Sequence, residues 1–236
     1  MQKNNEILLG LTTTAGSSWK EKIEEIKKFG VEKIALFPTY LNREQRKELY
    51  ELLDGVGDLA IPHVHLRDDF GLDEIDFLVK RFGTLAFNIH PQNFWPLQND
   101  LSKYHKQIFV ENLRASLPSD ADLDKFGGLC IDFAHLENKY LSQNPIYETF
   151  IEKAKKYPVG CCHVSAILNE PAADEDDFEN PDHKFFDRHW VENLSELDYI
   201  KKYKEFLPQY ISIELENSFA QQLECRAYME KILELK

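Results

Sequence analysis

The chain has 236 residues, 43% of them apolar, and 41 acidic against 28 basic side chains give a formal charge of −13. That excess of negative charge disfavours a nucleic-acid partner, and nowhere do about 18 apolar residues run together as a membrane span requires. The N-terminal MQKNNEILLGL holds too short an apolar stretch for a signal peptide, so a cytoplasmic protein is expected, folded as one domain over 1–236.

Short β-rich runs predict strands at 7–13, 33–38, 61–66, 84–90, 108–112, 128–134, 159–165 and 210–215. Between them, helix-start signals precede helical periodicity: Ser17-Ser18 before WKEKIEEIKKFG, Asn42 before REQRKELYELLDG, Asp73 before EIDFLVKRFG and Ser195 before ELDYIKKYKEFL. Gly30, Gly55 and Gly83 close three of them. Segment 91–107, with Pro91, Phe94, Trp95 and Pro96, reads as a loop before a short helix. Segment 167–191 reads as a long irregular connection containing the acidic AADEDDFENPD, of a length that favours a lid or binding loop. Cys130, Cys161, Cys162 and Cys225 lack both zinc-ribbon spacing and disulfide-scaffold density, and read as reduced, mostly buried thiols. Eight buried strands interleaved with helices predict an α/β fold, a single parallel (β/α)8 TIM barrel with its site at the C-terminal strand ends.

The apolar runs IPHVH, LAFNIH, IFVE, LCIDFAH, GCCH and ISIELE each end in a carboxylate or an imidazole. Isolated charges are costly to desolvate, so such ends make sense when they converge on a polyvalent cation. Glu111, Asp132, His163 and Glu214 come from four consecutive strands, and mixed oxygen and nitrogen donors suit Zn²⁺ best, with Mn²⁺, Co²⁺ or Mg²⁺ as alternatives. His90, His135, Asp187, His189 and one of His63 or His65 enlarge the set beyond what one ion can use. His63 and His65 share strand parity, so both point one way. Glu216 has the parity of Glu214 and becomes the ligand if the register shifts by two. His183 reads as a loop residue and His105 as exposed. Arg67, Arg114 and Arg188 are candidates for an anionic group, and Phe94, Trp95 and Trp190 for stacking or packing at the barrel mouth.

With these residues in order, the chain resembles the xylose isomerase-like barrel superfamily and, within it, the endonuclease IV family of zinc-dependent nucleases acting at abasic sites. The matches are Pro62-His63, His90-Pro91, Glu111-Asn112, Ile131-Asp132 with His135, His163, Asp187-Arg188-His189 and Glu214. The family's Gly after Asp-Arg-His is replaced by Trp190-Val191-Glu192, and LRAS follows Glu111-Asn112. The resemblance implies a di- or trinuclear centre hydrolysing a phosphoester, with Glu111 and Glu214 as shared carboxylates. It implies His63, His90, Glu111, Asp132, His135, His163, Asp187, His189 and Glu214 as metal ligands. The superfamily's sugar isomerases and epimerases use the quartet Glu111, Asp132, His163 and Glu214 with one metal. The alternative is therefore a single-metal sugar or sugar-phosphate isomerase in which Glu111 and Glu214 move the proton. A catalytically silent barrel that binds a metal or small ligand is a third reading. The acidic loop with Asp174, Glu175, Asp176, Asp177, Glu179 and Asp182 weighs toward a small phosphorylated or sugar substrate rather than DNA. No motif indicates an oligomer.

Overall fold

A computed structural model describes residues 5–14, 17–173 and 183–235. Eight parallel strands close into a barrel: β1 (Glu6–Thr12), β2 (Lys33–Phe37), β3 (Ala60–His65), β4 (Ala86–Ile89), β5 (Ile108–Glu111), β6 (Leu129–Asp132), β7 (Val159–Val164) and β10 (Tyr210–Ile213), with β10 pairing back onto β1. All eight predicted strands are present in the predicted order. Because side chains alternate along a strand, one set faces the surrounding helices and the other fills the barrel. Leu8, Ala35 and Phe37 on one side and Ala86, Cys130 and Cys161 on the other pack the interior below the polar residues. All four cysteines are free and buried.

The helices cover the barrel with apolar stripes at helical spacing. In α1 (Trp19–Phe29) the stripe is Ile23 and Ile26; in α2 (Arg43–Asp54) it is Leu49, Tyr50 and Leu53; in α3 (Leu72–Phe82) it is Ile75, Leu78 and Phe82. Asn42 caps α2 as expected, its side chain accepting from Gln45 N while Gln45 reaches back to Asn42 N. Helix α3 starts earlier than the expected Asp73 cap. Gly71 takes the extended cap position, the Glu74 side chain accepts from its N–H, and Asp73 pairs with Arg43. Gly30 and Gly83 end their helices left-handed at φ 61° and 66°, whereas Gly55 stays right-handed at −72°. Four further helices, α4 (Asp120–Lys125), α5 (Phe133–Leu141), α6 (Ile146–Lys156) and α7 (Phe219–Leu233), complete the set with 3₁₀ segments at Ser102–Gln107 and Leu194–Phe206.

Two expectations need correction. The connection 167–191 is no irregular loop throughout: β8 (Ala166–Ala173) and β9 (Lys184–Arg188) pair antiparallel, and the acidic stretch Asp174 to Asp182 lies outside the described residues. His105 is half-buried rather than exposed, its ring packed edge-on to Phe126 at 4.9 Å.

The seam between the first and last strands is closed by a side chain. Backbone pairing of β1 with β10 covers Glu6, Ile7 and Leu8. Beyond it, Gln222 of α7 accepts from Gly10 N at 2.7 Å and donates toward the carbonyls of Gly10, Leu215 and Asn217, each at 3.0 Å. Gly10 must be glycine there, since an added Cβ would sit 1.9 Å from the Ile213 carbonyl oxygen.

Candidate metal centre

The strand ends deliver their polar groups to one place. His65 ends β3, Glu111 ends β5, Asp132 ends β6, His163 is the penultimate residue of β7, and His90 and Glu214 follow β4 and β10 directly. Among the described residues, donor atoms lie within 4.8 Å of one another in the groups His65, His90 and Glu111; Glu111, Asp132 and His135; Asp132, His163 and Glu214; and, deeper, His63, Cys130 and His163. Glu111, Asp132 and His163 each belong to two groups. A cavity of about 350 Å³ opens beside them, bounded by His65, His90, Glu111, His135, His189 and Glu214 and rimmed by Tyr40 and Arg114.

Local backbone structure accounts for how each donor is aimed. Asp132 caps α5: its Oδ1 accepts from His135 N at 2.7 Å, which leaves Oδ2 3.8 Å from His163 Nδ1. Asn112 exchanges two hydrogen bonds with the Asp132 backbone, each 2.9 Å, extending the β5–β6 pairing to the strand ends. Three imidazoles are fixed by carbonyls, which only accept: His65 Nδ1 on Leu66 O at 3.2 Å, His135 Nδ1 on Asn112 O at 3.1 Å and His189 Nδ1 on Glu214 O at 3.1 Å. In the neutral ring each Nδ1 then carries the proton and each Nε2 keeps its lone pair, the arrangement of metal-binding histidines.

The donor set fits a cation on two observations. Asp132 Oδ2 and His163 Nδ1 are buried with no hydrogen-bond partner. His163 Nδ1 nevertheless lies 3.1 Å from Glu214 Oε2, 3.6 Å from Glu111 Oε1 and 3.8 Å from Asp132 Oδ2. Likewise His65 Nε2 points at Glu111 Oε2 at 3.0 Å. A cation between these atoms would take the place of a proton shared by the imidazole and its carboxylates, with all of them as ligands.

Burial works to raise the Glu111 and Glu214 carboxyls, but the His163 imidazole beside both outweighs it and holds them down, Glu214 to about 2. Burial lowers His163, yet Glu111 and Glu214 together push it well above the ordinary range. His90 moves the other way, lowered to about 4 by burial and by neighbouring His65, which keeps it a neutral donor.

Of the expected ligands, Asp187 and His189 fall in none of the four groups, and His63 lies in the deeper one with both ring nitrogens engaged, by Ser212 Oγ at 2.6 Å and Asn88 Oδ1 at 3.0 Å. His65, the alternative to His63, is the one that stands beside His90 and Glu111. Asp187 sits 3.6 Å from His135 Nε2, and its Oδ2 is held by Arg114 Nε at 2.7 Å while Oδ1 is buried without a partner. Glu216 also lines the cavity, but its donor atoms fall in none of the four groups. Arg67 donates to Leu41 O and lies 3.5 Å from Asp69, and Arg188 pairs with Glu192 and Glu196. Phe94, Trp95 and Trp190 are all exposed, the indole of Trp95 lying 4.9 Å from the His90 ring. Exposed His183 stands away from the centre, 6.1 Å from the Phe185 ring. Asn88 and Ser212 escaped the sequence reading. Their signal was parity, since each stands two residues before a strand-end ligand, His90 and Glu214.

No family model and no curated protein matches this chain. Among solved structures, it is similar to a xylose isomerase domain protein from Alicyclobacillus acidocaldarius at 12% identity and a TM-score of 0.51, over 98% of this chain and 99% of that one. Others include the probable 3-DHS dehydratase from Bacillus anthracis (13% identity, TM-score 0.48, 96% and 97% covered) and a xylose isomerase domain protein from Planctomyces limnophilus (14%, 0.45, 98% of each). The first of these likenesses agrees with the (β/α)8 barrel fold of this chain.

Proposed function

We propose that the chain is a metal-dependent hydrolase of small phosphoesters whose centre holds two adjoining divalent cations, Zn²⁺ being the best fit to the donors. His65, His90 and Glu111 would hold one, Asp132, His163 and Glu214 the other, with Glu111 shared. The observation that carries this reading is the pair of buried, unpartnered donor atoms, Asp132 Oδ2 and His163 Nδ1, set among carboxylates. When bound, the cations supply a Lewis acid for the phosphoryl oxygens and a water of lowered pKa.

The chain's own residues set up the rest. His65 and His90 present ring nitrogens to one end of the cavity. Arg114, held by Asp187 at the rim, places positive charge where a phosphoryl oxygen would enter. Tyr40 and Trp95 wall a pocket of about 340 Å³ that adjoins His65 and His90, suited to the organic part of a small ester. A long polyanion fits poorly with a chain of charge −13.

A second reading, the single-metal sugar isomerase or epimerase, is supported by the quartet Glu111, Asp132, His163 and Glu214 and by the commitment of Asp187 to Arg114, which reduces the donors left for further ions. In it Glu111 and Glu214, on either side of His163, move the proton between carbons. Zn²⁺-loaded protein assayed against phosphomonoesters, phosphodiesters and a neutral sugar panel separates the two. The expected result is phosphoester turnover that falls at least ~100-fold in Asp132→Asn; sugar isomerisation without phosphoester turnover would overturn the hydrolase reading.

A further inference from the structure

Glu111 Oε2 is held at 2.6 Å by Asn88 Nδ2. A carboxylate only accepts, so the amide nitrogen of Asn88 faces Glu111 and its Oδ1 must face the other way. There it meets His63 Nε2 at 3.0 Å. An amide oxygen also only accepts, so Nε2 carries a proton, and the remaining lone pair of the neutral ring lies on Nδ1, 2.6 Å from Ser212 Oγ. The hydroxyl must then donate.

We infer that Ser212, His63 and Asn88 form a one-way hydrogen-bond chain across β10, β3 and β4 whose purpose is to position Glu111. Its direction is imposed by the two acceptor-only groups, the carboxylate and the amide oxygen, rather than chosen by any one residue. His63, Asn88 and Ser212 are all 0% exposed, so water cannot substitute for a missing link. The chain pins Oε2 and leaves Oε1 facing His163 Nδ1 at 3.6 Å. These are positioning residues: removing the Ser212 hydroxyl leaves His63 Nδ1 a buried lone pair without a donor, which loosens the ring against Asn88 and the amide against Glu111.

The inference rests on the reading of Glu111 as a cation ligand, and two measurements keep the two apart. Two-bond ¹H–¹⁵N spectra of labelled full-length protein, with the His63 signals identified by their loss in His63→Gln, should show a neutral ring protonated on Nε2. A ring protonated on Nδ1 or on both nitrogens overturns the chain. Zn²⁺ titration of metal-depleted protein should give ~10–100-fold weaker binding in Ser212→Ala and in Asn88→Leu, with Ser212→Thr near wild type. Wild-type affinity in Ser212→Ala overturns the positioning role while the ligand reading stands. Wild-type protein that binds no Zn²⁺ refutes the ligand reading and the positioning role with it, whereas the ring spectrum still decides the chain's direction.

Discussion

Lys22 shows how single residues in this barrel carry a cost that solution conditions can reveal. It is 3% exposed, its Nζ donating to Thr12 Oγ1 at 3.0 Å and Leu215 O at 3.2 Å, and burial lowers it from 10.5 to about 8. Between those values the unfolded chain binds the extra proton and the folded one does not, so stability rises as pH climbs through this window and is lost as pH falls toward 8. At ~1.4 kcal/mol per pH unit the gain is up to ~3 kcal/mol. Lys139, lowered to about 8 by burial with its Nζ on the Leu113 carbonyl, adds in the same window. Burial of the Cys130, Cys162 and Cys225 thiols, raised from 9.0, opposes it within the window, and burial of Tyr199 and Tyr203 opposes it above about pH 10. The stability difference between wild type and Lys22→Met, read from urea midpoints, should shift in favour of the wild type on going from about pH 8 to pH 10; a difference that does not change with pH contradicts the assignment. Residue identity at the centre was legible where chemistry sat on a strand end. The choice between His63 and His65 was not, because both share one face and only their partners, Ser212 with Asn88 against Leu66 O with Glu111, tell them apart.

Elements are joined here by side chains as much as by ladders. Gln222 stands in for missing backbone pairing between β1 and β10, so Gln222→Leu leaves several buried backbone groups unsatisfied and should cost ~2–4 kcal/mol in denaturant unfolding. Arg46, fully buried in α2, binds Glu74 of α3 through two 2.9 Å hydrogen bonds and lies over the Phe70 ring at 4.1 Å. Arg46→Met strands the Glu74 carboxylate and should cost ~3–5 kcal/mol, whereas Met at both positions should recover much of that. A single variant as stable as wild type would contradict either assignment. The strands and the first three helices were readable because their burial has period 2 or 3.6. The segment Leu194–Phe206 buries Leu197, Ile200 and Tyr203 at intervals of three, the period of the 3₁₀ helix it forms. The β8–β9 hairpin escaped because the outer part of β8, NEPAA, is exposed and carries Pro171, leaving no alternation to read.

For the whole molecule, the barrel concentrates Glu111, Asp132 and Glu214 at its interior mouth in a chain already charged −13. Cations bound only by the folded state should stabilise it, by ~2.7 kcal/mol at a hundredfold excess over Kd. Zn²⁺ should therefore raise Tm in the wild type and far less in His163→Ala, while an equal rise in both would place binding elsewhere. The barrel and the cluster of strand-end donors follow from patterns in the sequence; the number of ions does not, since it depends on whether Arg114 or a cation neutralises Asp187. Elemental mass spectrometry of the chain purified without chelator and reconstituted with Zn²⁺ tests the central claim most directly. Two ions per chain are expected, both lost on Glu111→Gln; one ion, or none, would contradict a shared two-cation centre.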